Sequence, residues 1–147
     1  MTTITTTIKP LKKMTLDNVK GETEWIVRED YIDTLTGIKI PAGFKTDLSS
    51  VPSIFWPSIP AYGLGTVAPV VHDYMYRNAG KTFSMYHNDG SPWGYERAFT
   101  KKQADKYFRI HMRHEGIGHI KRFLAYNAVK FFAGCVWKRH LKKNIGK

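Results

Sequence analysis

Between Pro41 and Gly65 the chain carries four prolines (Pro41, Pro52, Pro57 and Pro60) and three glycines (Gly43, Gly63 and Gly65). Proline removes a backbone donor and fixes φ, and glycine loses the most entropy on ordering, so neither helix nor strand propagates through such a stretch. Regular structure must therefore lie to either side of it. Phe44, Val51, Ile54, Phe55, Trp56 and Tyr62 supply apolar anchors within it, which predicts a long ordered loop rather than a linker.

The two sides carry different periodicities. Upstream, Trp25-Ile26-Val27-Arg28-Glu29-Asp30-Tyr31 is rich in β-formers, Asp33 to Gly37 carries turn residues, and Ile38-Lys39-Ile40 alternates apolar and polar, together predicting a hairpin. Downstream, Thr66 is placed to cap a helix bearing Val67, Val70, Val71, Tyr74 and Met75 and ending before Gly80. Residues 80–99 read as a loop or short hairpin. Thr100-Lys101-Lys102-Gln103 has the form of a capping box and opens a second helix through Ala104, Tyr107, Phe108, Ile110, His111 and Met112. Gly116 and Gly118 end it, and a third helix is expected from about His119 to His140. The expectation is an α+β fold in which an N-terminal β-hairpin or small antiparallel sheet and a long ordered Pro/Gly loop pack on three α-helices. At 147 residues it is read as a single domain, with its core within about residues 20–140.

Charge is unevenly placed. Residues 1–100 hold ten basic and ten acidic side chains, whereas residues 101–147 hold thirteen basic and only two acidic ones, Asp105 and Glu115. Such an excess favours an anionic partner, either a nucleic-acid backbone or a phospholipid surface. In the third helix, Phe123 to Trp137 carries one charge, Lys130, and is flanked by Lys121-Arg122 and Lys138-Arg139. At roughly 22 Å this run is too short to cross a bilayer. It reads as a core helix, an oligomer seam between copies of the chain, or an interfacial anchor with basic ends. The single cysteine, Cys135, excludes an internal disulfide framework and is expected to be an inert buried thiol. No apolar signal segment opens the chain, so the expected location is cytoplasmic.

The residues best suited to chemistry are His72-Asp73-Tyr74-Met75-Tyr76-Arg77. Residues four apart share a helix face, so His72 stands with Tyr76 while Asp73 can pair with Arg77. Histidine is suited to taking a proton from water near neutral pH, and such a base needs a carboxylate to hold its far ring nitrogen. Asp105 is the leading candidate, with Tyr76 donating to the same carboxylate if the first two helices run antiparallel. In the loop, Thr46-Asp47-Leu48-Ser49-Ser50 either folds onto its own amides or brings Asp47 beside His72. In the second case Asp47, His72, Asp73 and Asp105 form a cluster able to hold Ca²⁺ or Zn²⁺. Ser49 or Ser50 is then a candidate nucleophile, without a Gly-x-Ser-x-Gly elbow. His111, His114 and His119 lack zinc-site spacing and read as basic-face or partner-binding residues.

The His72-Asp73-x-x-Tyr76 helix with Asp105 on a second helix resembles the phospholipase A2 superfamily. That resemblance implies His72 as the base activating water, Tyr76 and Asp105 as the orienting pair, and Asp73 as a calcium ligand. Backbone carbonyls of a glycine loop would complete the calcium site, with Gly63 and Gly65 or the Gly43–Asp47 segment as candidates. A longer resemblance runs through Ile40-Pro41-Ala42-Gly43-Phe44-Lys45-Thr46-Asp47-Leu48-Ser49-Ser50-Val51-Pro52, Ala68 to Arg77, and Lys102-Gln103-Ala104-Asp105. From about Trp25 to Trp137 the chain looks like the phage-associated family catalogued as domain of unknown function 1353. It implies a phage or prophage origin, in host cytoplasm or virion, and leaves the activity open. Two functions follow: a metal-assisted hydrolase acting at membrane or envelope, or a non-catalytic virion component or host-interaction protein whose basic surface meets anionic partners. Backbone-directed nucleic-acid binding is a third.

Overall fold

The computed structural model describes residues 16–18, 25–46 and 67–145. Among them are seven short strands and four helices, an α+β fold. β1 (Leu16–Asn18), β2 (Trp25–Val27) and β5 (Lys45–Thr46) form a three-stranded antiparallel sheet in the order β1-β2-β5. β3 (Tyr31–Ile32) pairs with β4 (Lys39–Ile40), and β6 (Thr82–Tyr86) with β7 (Pro92–Ala98). An isolated bridge between Ile38 and Met85 joins these two hairpins.

The turn at Asp33–Gly37 thus joins shorter strands than the sequence suggests. Trp25–Val27, expected as the first arm of that hairpin, pairs instead with β1 and β5. Gly37 closes the turn at φ 80°, a conformation open chiefly to glycine, and its amide donates to Asp33 O at 2.7 Å. The 80–99 segment is the hairpin alternative, not the loop. Of the Pro/Gly stretch, only Pro41 to Thr46 lies within the described residues.

α1 (Val67–Arg77) and α2 (Lys101–His114) pack antiparallel, the start of α1 meeting the end of α2. Thr100 and Gln103 make both bonds of the capping box: Gln103 N–H to Thr100 Oγ1 at 3.2 Å, and Thr100 N–H to Gln103 Oε1 at 2.9 Å. Thr66, the expected cap of α1, lies outside the described residues, and amides and carbonyls at both ends of α1 are met from far along the chain. Val67 and Ala68 N–H donate to the two carboxylate oxygens of Glu115 at 2.7 and 3.0 Å. At the other end Asn144 Nδ2 donates to Arg77 O and Ala79 O, both at 3.0 Å. Gly80, at φ 80°, then turns the chain away beneath Leu141, whose Cδ1 would lie 2.6 Å from a Cβ placed there.

The expected third helix is two helices, α3 (His119–Phe132) and α4 (Gly134–Ile145). The break has a polar cause. Lys101 Nζ donates to Val129 O at 3.3 Å and to Lys130 O at 3.2 Å, so the last carbonyls of α3 face an ammonium, and Gly134 follows with little helix propensity. Nor is this segment the core on which the other helices pack. Only Ala125, Val129, Ala133 and Trp137 are buried along it, while Phe123, Leu124, Phe131 and Phe132 are exposed. Cys135 is exposed too, contrary to a buried thiol. No helix is long and apolar enough to cross a membrane among the described residues. The core lies between α1, α2 and the strands: Val27, Tyr31, Ile38, Ile40, Val70, Val71, Met75, Tyr76, Phe108 and Met112.

Candidate functional site

α1 presents His72, Asp73 and Tyr76 to its neighbours, and α2 presents Asp105 and Lys101. His72 Nε2 donates to Asp105 Oδ1 at 2.8 Å, and Tyr76 OH donates to the same oxygen at 2.6 Å. Lys101 Nζ, one turn before Asp105 on α2, meets Oδ2 at 2.6 Å. The imidazole lies between the Tyr76 and Phe108 rings, at centroid distances of 4.2 and 4.7 Å. Trp137 of α4 then stands edge-on to Tyr76 at 5.1 Å. The side chains of His72 and Asp105 are 0% and 3% exposed.

Electrostatics divide the protons among these groups. Burial depresses the pKa of His72, outweighing the pull of the Asp105 carboxylate toward the charged form. Asp105 feels burial as an upward push, but hydrogen bonds from His72, Lys101 and Tyr76 hold its carboxyl below the ordinary value. Burial and the bond to Asp105 raise the pKa of Tyr76, so its hydroxyl keeps its proton. The cluster therefore contains one ion pair, Lys101 with Asp105, and a neutral His72.

Asp73 belongs to a second, adjacent arrangement. Thr46 Oγ1 donates to Asp73 Oδ2 at 2.6 Å, and Arg77 Nε, one turn along α1, meets the same oxygen at 3.2 Å. Thr46 is thus brought into contact with α1, fully buried. Arg77 lies over the Phe44 ring, at 5.6 Å, and Phe44 packs edge-on against Tyr74 at 4.9 Å, fastening the start of the Pro/Gly stretch to this helix. Asp47, Ser49, Ser50, Gly63 and Gly65 lie outside the described residues.

A calcium ion seeks several oxygens; of those the sequence offers, Asp73 is engaged through Oδ2 by Thr46 and Arg77, and Asp47, Gly63 and Gly65 lie outside the described residues. Among the described residues no three His, Cys, Asp or Glu side chains stand together as a metal group.

A third polar cluster is absent from the sequence reading. His111 Nε2 donates to Asp33 Oδ2 at 2.8 Å, and its Nδ1 donates to Tyr107 O at 2.7 Å. Thr36 adds its hydroxyl at 2.5 Å and its amide at 3.1 Å to the same Asp33 oxygen, while Asp33 Oδ1 finds no partner among the described residues. His111 is fully buried, so it is not on the basic face. The signal for it was its place on the buried stripe of α2 with Ala104, Asp105, Phe108 and Met112. Glu115 had a signal as well: with Asp105 it is one of two carboxylates in a basic third, and both prove to be buried partners of α1. Of the basic residues proposed for anionic partners, Lys121, Lys138 and Arg139 are exposed and Arg122 is half-buried.

An open cavity of about 610 Å³ lies between the Thr34–Gly37 turn and the β6–β7 hairpin, with Trp93, Tyr95 and Arg97 on its wall; of the cluster residues above, only Thr36 lines it.

A family model described as "Protein of unknown function (DUF1353)" matches residues 24–129. That span contains Thr46, His72, Asp73, Tyr76, Lys101 and Asp105, and ends before α4. No curated protein and no solved structure matches the chain.

Proposed function

The chain belongs to the DUF1353 family, and on that footing we propose that it is a hydrolase whose general base is His72, acting on an ester or amide of lipid or envelope material in a phage or prophage setting. One observation carries the reading: a single carboxylate oxygen of Asp105 accepts from both His72 Nε2 and Tyr76 OH. This is the arrangement that fixes an imidazole's tautomer and ring plane. The His72 imidazole takes a proton from water as the oxygen bonds to the acyl carbon, and then passes that proton to the departing alcohol or amine. Asp105 stabilises the imidazolium formed between those events, and Tyr76 and Lys101 hold Asp105 still. The depressed pKa of His72 keeps the base in its neutral, working form at neutral pH.

A second reading is favoured by the burial of the same groups. With His72 and Asp105 almost wholly covered, the cluster acts as a satisfied polar network that fastens α1 to α2 in a non-catalytic phage component. Mass spectrometry of products from mixed phospholipid vesicles, with calcium or with chelator, separates the two. The hydrolase reading expects fatty acid and lysolipid from the parent, and their loss in folded His72→Ala and Asp105→Asn variants. No product from the parent, together with a sharp fall in melting temperature in both variants, establishes the network reading. Product that persists with chelator removes calcium from the account.

A further inference from the structure

We propose that α3 and α4 form a docking surface for an anionic lipid bilayer, with α3 lying in the plane of the interface. The surface stands apart from whether His72 acts as a base.

The apolar pattern comes first. Ile120, Phe123, Leu124 and Phe131 recur at the spacing of one helix face, and each is more than half exposed; Phe132 beside them is 78% exposed. The opposite face of α3, with Ala125 and Val129, is the one the protein buries. An ordinary surface helix turns its large apolar side chains inward and its small or polar ones outward. Here the large ones face out, and so many together on one element mark an interaction surface.

Charge selects the occupant. Residues 116–145 contain seven Lys and Arg and no Asp or Glu. The only carboxylates of residues 101–147, Asp105 and Glu115, are buried against α1. The outer surface of α2, α3 and α4 therefore presents cations alone, with Lys121 and Lys130 on either flank of the apolar stripe. A second copy seated here brings like charges together around the seam. A nucleic-acid backbone satisfies the cations but leaves Ile120, Leu124 and Phe131 in water. A bilayer rich in anionic lipid satisfies both, with phenyl and aliphatic groups below the headgroups and lysines among the phosphates. At 14 residues α3 is about 21 Å long and lies on the membrane rather than across it.

Sedimentation of the full chain with vesicles of phosphatidylcholine alone, and with added phosphatidylglycerol, tests this. Binding is expected with phosphatidylglycerol, weakening as salt rises. Phe123→Ser/Phe131→Ser/Phe132→Ser should keep the parent's melting temperature and bind at least about tenfold more weakly. Lys121→Gln/Lys138→Gln/Lys142→Gln should lose roughly fivefold per cation. A Phe132→Trp reporter, in a chain otherwise unaltered, should be quenched by lipids brominated on their acyl chains, a readout that does not need the triple variant to fold. The proposal is overturned if the reporter is not quenched, or if the phenylalanine variant binds vesicles as the parent does. It also falls if the chain ignores vesicles and dimerises through this face in ultracentrifugation, or if it binds duplex DNA through lysines alone and vesicles not at all.

Discussion

His72 and His111 each meet a carboxylate at 2.8 Å, yet they hold their protons differently. The difference lies in the carboxylates' other partners. Asp105 is balanced by Lys101, so His72 has no charge to supply, and burial drives it neutral. Among the described residues Asp33 has Thr36, which is uncharged, and His111. Both nitrogens of His111 face groups that only accept, Asp33 and Tyr107 O, so both carry hydrogens and the ring is an imidazolium. Burial works against that charge, but the bond and attraction to Asp33 prevail and raise the pKa. In an NMR titration His111 is expected to titrate above 6.5 and His72 below it. Asp33→Asn should bring His111 below 6.5 and leave His72 in place; a His111 titration unmoved by that change refutes the assignment. Tyr76→Phe leaves Asp105 its ion pair but one donor fewer, and should cost about 1–2 kcal/mol in urea unfolding. At Cys135 the exposed thiol should react fully with a disulfide reagent in the native protein, without denaturant.

At the scale of elements, α1 is held by residues that follow it by tens of positions. Glu115→Gln keeps the shape but removes the negative charge from the N-terminus of α1, and should cost about 1–2 kcal/mol in urea unfolding. Gly80→Ala combines a strained φ with a forced shift of Leu141. It should cost more than the roughly 1 kcal/mol of an unstrained helix glycine exchange, read in the same unfolding curves. These dependencies explain what the sequence could disclose. α1 and α2 were legible because their apolar spacing and the Thr100–Gln103 box are local. The facing of His72, Tyr76 and Asp105 followed from helix spacing and one assumption, antiparallel packing. The pairing of β2 with β1 and β5 was not legible, since strands of two or three residues carry no periodicity of their own. Asp33 with His111 was hidden by a separation of 78 residues. The outward face of α3 was hidden for another reason. A continuous apolar run is read as core, and only the packing shows that small residues, Ala125 and Val129, are the ones turned inward.

For the molecule as a whole, α4 completes what the rest leaves open: Trp137 covers Tyr76, Leu141 fills the space over Gly80, and Asn144 receives the end of α1. A chain ending at Ala133 should lose its cooperative melting transition, with circular dichroism as the check. Proton linkage across the two buried histidines then gives the fold an acid–alkaline profile of its own. His111, raised, contributes stability that is complete below about pH 6.5 and fades as pH climbs through its folded value. His72, lowered, contributes stability that is complete above about pH 6.5 and fades as pH drops through its folded value. Each limb can slope by at most about 1.4 kcal/mol per pH unit. Added together, the limbs meet in a ridge near the pH where a free imidazole is half protonated, so acidification and alkalinisation each loosen the joint between α1 and α2 or between α2 and the β3–β4 hairpin. The two histidines thereby add to the fold a pH preference that arises from its interior and not from the chain's surface charge.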